Sequence, residues 1–136
     1  MELAVQISIR ARLLATPAVI ALVPAEAILD RNQRPNPSPS IVLGESQAAD
    51  EATSLARAHV RVFHTLHVWK REASLEGVKA IGAAIRAAIH AGRLDLGAGL
   101  HCADALVTSM RQMRDPDGET SHGVVTVEVL VCEVPA

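Results

Sequence analysis

Residues 100–131 constrain the fold more than any other stretch, because they read as two long strands joined by a turn that the sequence spells out. Leu100, Cys102, Leu106 and Met110 alternate with residues of the opposite face. Val124-Val125-Thr126-Val127-Glu128-Val129-Leu130-Val131 follows as the most β-prone run in the chain. Between them, Asp115-Pro116 and Asp117-Gly118 carry turn chemistry: proline presets one φ angle, and glycine accepts φ > 0 without steric cost. The expectation is an antiparallel hairpin. A register that sets Val107 against Val127 and Ala105 against Val129 lets small residues of one strand accommodate valines of the other. The same register sets Cys102 against Cys132, and a one-residue slip would reverse every face.

Upstream, residues 57–71 alternate over a length well above the five or six residues of an ordinary strand. One face carries Ala58, Val60, Val62, His64, Leu66 and Val68 and should meet the core. The other carries His59, Arg61, Phe63, Thr65, His67 and Trp69 and is mixed. Leu75, Val78, Ile81, Ile85 and Ile89 recur at spacings of three and four, which predicts a helix from Ser74, as its cap, to about Ala91. Gly92 stands where a left-handed C-terminal residue is wanted.

The N-terminal part is less determinate. Leu3, Val5, Ile7 and Ile9 alternate as in a strand, while Leu3, Ile7, Leu13 and Leu14 fit a helical face; helix is the reading adopted for residues 2–15. Thr16-Pro17 reads as an N-cap with proline at the first position of a second helix, to about Leu22. Residues 31–40 contain prolines at alternate positions and cannot be regular structure. They form either a solvated loop or an arm that docks on a neighbouring subunit. Ser40–Leu43 should be a short strand ended by Gly44, with residues 45–54 as loop. Together these elements give one α+β domain over residues 1–136: an antiparallel sheet of about four strands with two to three helices packed on one face.

Composition excludes several functions. Phe63 and Trp69 are the only aromatics, so there is no platform on which single-stranded nucleic acid could stack. A formal charge of −2 gives no basic footprint for duplex binding. Eleven of the thirteen basic residues are arginine, which favours bidentate pairing with carboxylates. The N-terminus lacks the basic start and apolar core of a signal peptide, and no apolar run is long enough for a bilayer. Cys102 and Cys132 are therefore expected as thiols in a reducing cytoplasm.

Nothing in the sequence asks for a cofactor, metal or catalytic group. His64 and His67 point to opposite faces of a strand, so a metal or ligand-binding module would need a long-range group such as His59, His67 and His122, or the cysteines. Asp104, Glu128 and His101 are the only nominees for acid–base chemistry, and no nucleophile or phosphate-binding motif accompanies them. Trp69 either packs against the following helix as a rim residue or joins Phe63 in a partner-binding patch flanked by Arg61 and Arg71.

In order and spacing the chain resembles the tail-terminator or tail-completion family of long-tailed phages and phage-like gene transfer agents. The resemblance rests on Thr16-Pro17-Ala18-Val19, Ile28-Leu29-Asp30, Ile41-Val42-Leu43-Gly44-Glu45, Leu66-His67-Val68-Trp69-Lys70-Arg71, Gly77-Val78-Lys79-Ala80-Ile81 and Asp115–Gly123. It implies a structural, non-enzymatic subunit, a homo-hexameric ring at the head-proximal end of the tail tube. That ring would stop addition of the major tail tube protein and meet a head-to-tail connector or stopper protein. DNA would only pass through the lumen, and no membrane is involved. A neck protein of the same particle is the alternative within this class. The residues nominated for subunit or partner contacts are Arg57, Arg61, Phe63, Trp69 and Arg71 on the long strand, Arg31 and Arg34 in the Pro-rich loop, and Arg114, Asp115, Asp117 and His122 around the hairpin connection.

Overall fold

The computed structural model describes residues 1–31, 37–52, 55 and 57–134. Helix α1 (Glu2–Leu14) and the short α2 (Pro17–Ile20) lead through a single 3-10 turn into β1 (Ile28–Leu29) and β2 (Ser40–Asp50). Then follow β3 (His59–Arg71), α3 (Glu76–His90), β4 (Leu100–Arg114) and β5 (Thr120–Glu133). The sheet order is β1-β2-β3-β5-β4. The four long strands are antiparallel, as expected, and the two-residue β1 adds to them in parallel at the β2 edge.

The helices lie on one face. Val5, Ile9 and Leu13 of α1 and Val78, Ile81, Ile85 and Ile89 of α3 are buried against Val62, Leu66 and Val68 of β3 and the odd-numbered valines 125–131 of β5. Each side chain withdrawn from water in this way contributes about 1.5–3 kcal/mol. Period-2 patterning in the strands and 3.6-residue patterning in α3 thus converge on one apolar layer.

Four local expectations need correction. First, β2 does not stop at Gly44: a bulge between Leu43 and Ser46 interrupts the ladder, which resumes to Asp50. Ser46–Asp50 have little β propensity of their own, and pairing with the long β3 decides the matter. Glycine is required at the bulge, because a Cβ on Gly44 would lie 2.7 Å from the His67 ring. Second, the hairpin register is as expected only from Asp104 to Val107. Shifts between Cys102 and Asp104 and between Val107 and Ser109 set Cys102 against Val131 and His101 against Cys132. The bulge between Cys102 and Asp104 therefore takes the cysteines out of register, and both remain free thiols.

Third, Gly92 is not left-handed. The carbonyls at the end of α3 are satisfied instead by Arg12 of α1, which donates to Ala88 O at 2.7 Å, Arg93 O at 2.8 Å and Gly92 O at 3.2 Å. A cation is favourable at this end of the helix. Fourth, Thr16 occupies the N-cap position of α2, but its hydroxyl donates backwards to Arg12 O rather than capping. At the start of α3, Ser74 Oγ accepts the Glu76 N–H and Glu72 Oε1 accepts the Gly77 N–H. The hairpin turn matches its chemistry: Gly118 has φ +74°, and Asp117 accepts from the Glu119 and Thr120 N–H groups and the Thr120 hydroxyl.

His64 follows the core alternation of β3 and is fully buried, with Nε2 3.5 Å from Gln6 Oε1 of α1. Burial holds its pKa below the ordinary value. The unfolded ring takes up a proton as the pH falls through about 6.5, while the folded ring resists it. His122 is depressed in the same direction, by burial and then by the charge of His67. Both groups therefore contribute a loss of stability that begins as the pH drops below about 6.5 and ends once the folded rings protonate. The melting temperature is expected to fall between about pH 7 and pH 5, with a shallower slope in His64→Leu. A flat profile for the wild-type protein over that range would contradict this.

Candidate assembly surface

The helices leave the other side of the sheet uncovered, and the alternation of β3 decides what stands there. With Val62, His64, Leu66 and Val68 turned to the core, Arg61, Phe63, His67 and Trp69 necessarily point away from it. Register carries the pattern across the sheet. Phe63 lies beside Glu128 of β5, which lies beside Leu106 of β4; Arg61 beside Leu130 and then Asp104; His67 beside Val124 and then Arg111; Trp69 beside His122 and then Met113. Apolar and polar residues alternate along this face, and all of those on β3 and β5 are half-buried.

Arg61 sits at its charged centre. Its Nε and Nη2 donate to the two oxygens of Glu51, at 2.6 and 3.1 Å, and Nη1 donates to Glu128 Oε1 at 2.8 Å. The bidentate geometry is the arginine pattern that the composition favours, although here it operates within one chain. Hydrogen bonding to Glu51 first, and to Glu128, raises the guanidinium pKa still further, and the Glu51 carboxyl is correspondingly lowered. The charges of Arg61, Glu51 and Glu128 are thus already paired, whereas Asp104 and Arg111 at the β4 edge of the face are exposed and make no ion pair among the described residues.

At one end of the face an aromatic ladder forms. Trp69 stacks on His122 with centroids 3.8 Å apart and planes 6° apart, and His67 follows at 5.1 Å. His67 Nε2 is 3.1 Å from Glu45 Oε1 and its Nδ1 is 2.9 Å from His122 Nε2. A carboxylate can only accept, which places a proton on His67 Nε2 and one shared proton between the two rings. Burial pulls the Glu45 carboxyl up, but the hydrogen bond and charge of His67, with Thr65, hold it below its ordinary value. Trp69 is thus no rim residue of α3; it belongs to the uncovered side.

The nominated residues separate into groups. Arg61, Phe63, Trp69 and His122 share the uncovered face. Arg71 ends β3, where its backbone N–H donates to Ser38 Oγ, and its side chain is exposed. Arg114 turns to the other side and donates to the carbonyls of Glu72 and Ala73 and to Ser121 Oγ, so its donors serve the β3–α3 connection. Asp115 and Asp117 accept backbone N–H groups inside the turn. Arg57 makes a loose 3.8 Å pair with Asp50, Arg31 is exposed, and Arg34 lies outside the described residues. Sequence reasoning missed Glu51 and Glu128 as partners of Arg61, which depend on strand order; of the long-range group it named, His67 and His122 do meet.

The long-range metal group does not assemble. His59 is eight residues from His67 on β3, about 26 Å along an extended strand. Among the described residues no three His, Cys, Asp or Glu side chains converge on a metal position. Asp104 is exposed beside Leu130, while Glu128 is engaged by Arg61. No helix of the described residues is long and apolar enough to cross a membrane.

Comparison with known proteins places this geometry. No curated protein sequence matches the chain. Among solved structures, a chain of the virion of a native gene transfer agent particle superposes with a TM-score of 0.79 at 20% identity, covering 93% of each chain. The bacteriophage SPP1 gp17 protein superposes with a TM-score of 0.63 at 19% identity, covering 98% of this chain and 91% of the other. At these identities the likeness is one of fold. The family model of tail completion protein gp17 matches residues 7–132, nearly the whole chain. The chain belongs to the tail completion protein family and is a structural, non-enzymatic component of the virion tail.

Proposed function

We propose that this protein closes into a homo-hexameric ring that caps the head-proximal end of the tail tube, ends tube growth and presents its far side to a head-to-tail connector or stopper protein. The observation that carries the reading is the tail completion match over residues 7–132; the uncovered sheet face, with Arg61 paired to Glu51 and Glu128, supplies a surface for assembly. Termination needs no bond chemistry. One side of the ring must resemble a tube subunit well enough to bind the growing end, and the other must not accept another tube subunit. A head-to-tail contact between copies closes when its rotation divides a full turn. DNA would pass through the lumen with sequence-blind contact at most, in keeping with a net charge of −2.

Negative-stain imaging of the purified protein, alone and mixed with tail tubes, tests this reading. Rings seated at one tube end are the expected result. Particles that leave both tube ends bare would overturn it, and rings that bind only the head connector would assign the protein to the neck instead.

A further inference from the structure

At the hairpin end of the uncovered face, the rings of His67, His122 and Trp69 are joined in a way that leaves no place for a second added proton. Trp69 lies directly beside His122 in the β3–β5 register, and His67, two residues earlier on the same face, lies diagonal to it. Glu45 Oε1 accepts from His67 Nε2 at 3.1 Å, which leaves His67 Nδ1 as acceptor and His122 Nε2 as donor across 2.9 Å. Both rings are neutral in this arrangement. A first proton is tolerated at either ring. On His122 Nδ1 it makes the ring-to-ring bond charge-assisted; on His67 Nδ1 it is accommodated when His122 turns to its Nδ1–H tautomer. With two added protons both facing nitrogens carry hydrogen. The bond is lost, and two imidazolium cations stand in contact.

The charges around the rings act unequally on them. Glu45 of β2 holds the far nitrogen of His67 and stays ionised, since its carboxyl lies below the ordinary range. Burial first, then the charge of His67, hold His122 below its ordinary value against the pull of Asp115 in the turn. Asp117, further along that turn, is committed to its backbone and to Thr120. Arg111 of β4, across Val124 from His67, and Arg71 of β3 are exposed cations that add to the positive side. The helices lie on the other face. We propose that His67, His122 and Trp69 form a proton-operated clasp: when both rings are charged, His67 stays on Glu45, His122 parts from it, and Trp69 loses its stacking partner. This end of the face then changes from a closed, neutral ladder to two cations beside a freed indole, while the core beneath stays folded. The clasp is independent of the ring reading above.

Trp69 is the sole tryptophan and the chain has no tyrosine, so its emission reports the stack alone. The test follows emission, histidine ring NMR signals and far-UV circular dichroism together from about pH 8 to about pH 5, across the ordinary histidine range. The expected result is a pair of coupled steps for His67 and His122, about one pH unit or more apart. Trp69 emission should shift to longer wavelength with the lower step, at a pH below about 6.5, while the circular dichroism holds. His122→Gln, which cannot titrate, should abolish that shift. His67→Gln, whose amide can still donate to Glu45, should abolish it as well and serves if the first variant melts early. Independent single steps for the two rings, or an emission shift that persists in both variants, would overturn the clasp. So would a shift that coincides with loss of the circular dichroism signal, since the event would then be unfolding of the domain.

Discussion

Leu66→Ala is expected to lower stability by about 2–5 kcal/mol, since Leu66 is fully buried in the central strand and the cavity left behind cannot collapse. The residue stands in β3, flanked by β2 and β5 and roofed by the helices, so neighbours on several elements lose contact at once. The companion change Ile7→Ala is expected to move stability by about 0.5 kcal/mol or less, because the side chain is 61% exposed. Denaturant titration of the two variants under monomeric conditions measures the difference. Equal costs would mean that α1 does not present Ile7 outward.

Arg61→Glu has the second large effect, on assembly as well as on the monomer. It places a third carboxylate between Glu51 and Glu128, where the guanidinium now holds both. The uncovered face then carries unpaired negative charge that any covering partner would have to desolvate. Association is expected to weaken by roughly thirtyfold or more, the size of a hot-spot loss, and the melting temperature of the monomer is expected to fall. Adding Glu128→Arg should restore much of both, because it rebuilds the pair with the charges exchanged. Sedimentation velocity with a parallel thermal melt reads the two effects separately. Unchanged assembly in Arg61→Glu would take this face out of the interface.

How much of this was legible in the sequence varied with how local the cause is. The faces of β3 could be read directly, because alternation from Val60 to Val68 is a property of the strand alone, and with it came the outward set Arg61, Phe63 and Trp69. Helix α3 was equally plain from its spacing. The hairpin turn was written in Asp115–Gly118, but the register beyond it was not: the bulges near Ala103 and Thr108 fall in ordinary residues with no glycine or proline to mark them. The second half of β2 was hidden because Ser46–Asp50 become a strand only through pairing with β3. The Arg12 cap of α3 spans more than seventy residues, beyond any local signal. The same limit applied to the assembly surface. Its residues on β3 were visible, but their ion-pair partners Glu51 and Glu128 required knowing that β3 lies between β2 and β5.

The resemblance read from the order and spacing of short segments and the match of the family model over residues 7–132 agree on tail completion. What the fold adds is a physical reason for a subunit with no chemistry to be useful. It has one core, one sheet face left uncovered by the helices, and a helix α1 whose Leu3 and Ile7 are exposed.

Termination itself is tested most directly by following elongation of tail tubes from short seeds, with and without the purified protein. Growth that stops, with tube lengths frozen at the moment of addition and one end occupied, is the outcome this account expects. Tubes that continue to lengthen at an unchanged rate with the protein bound would contradict it.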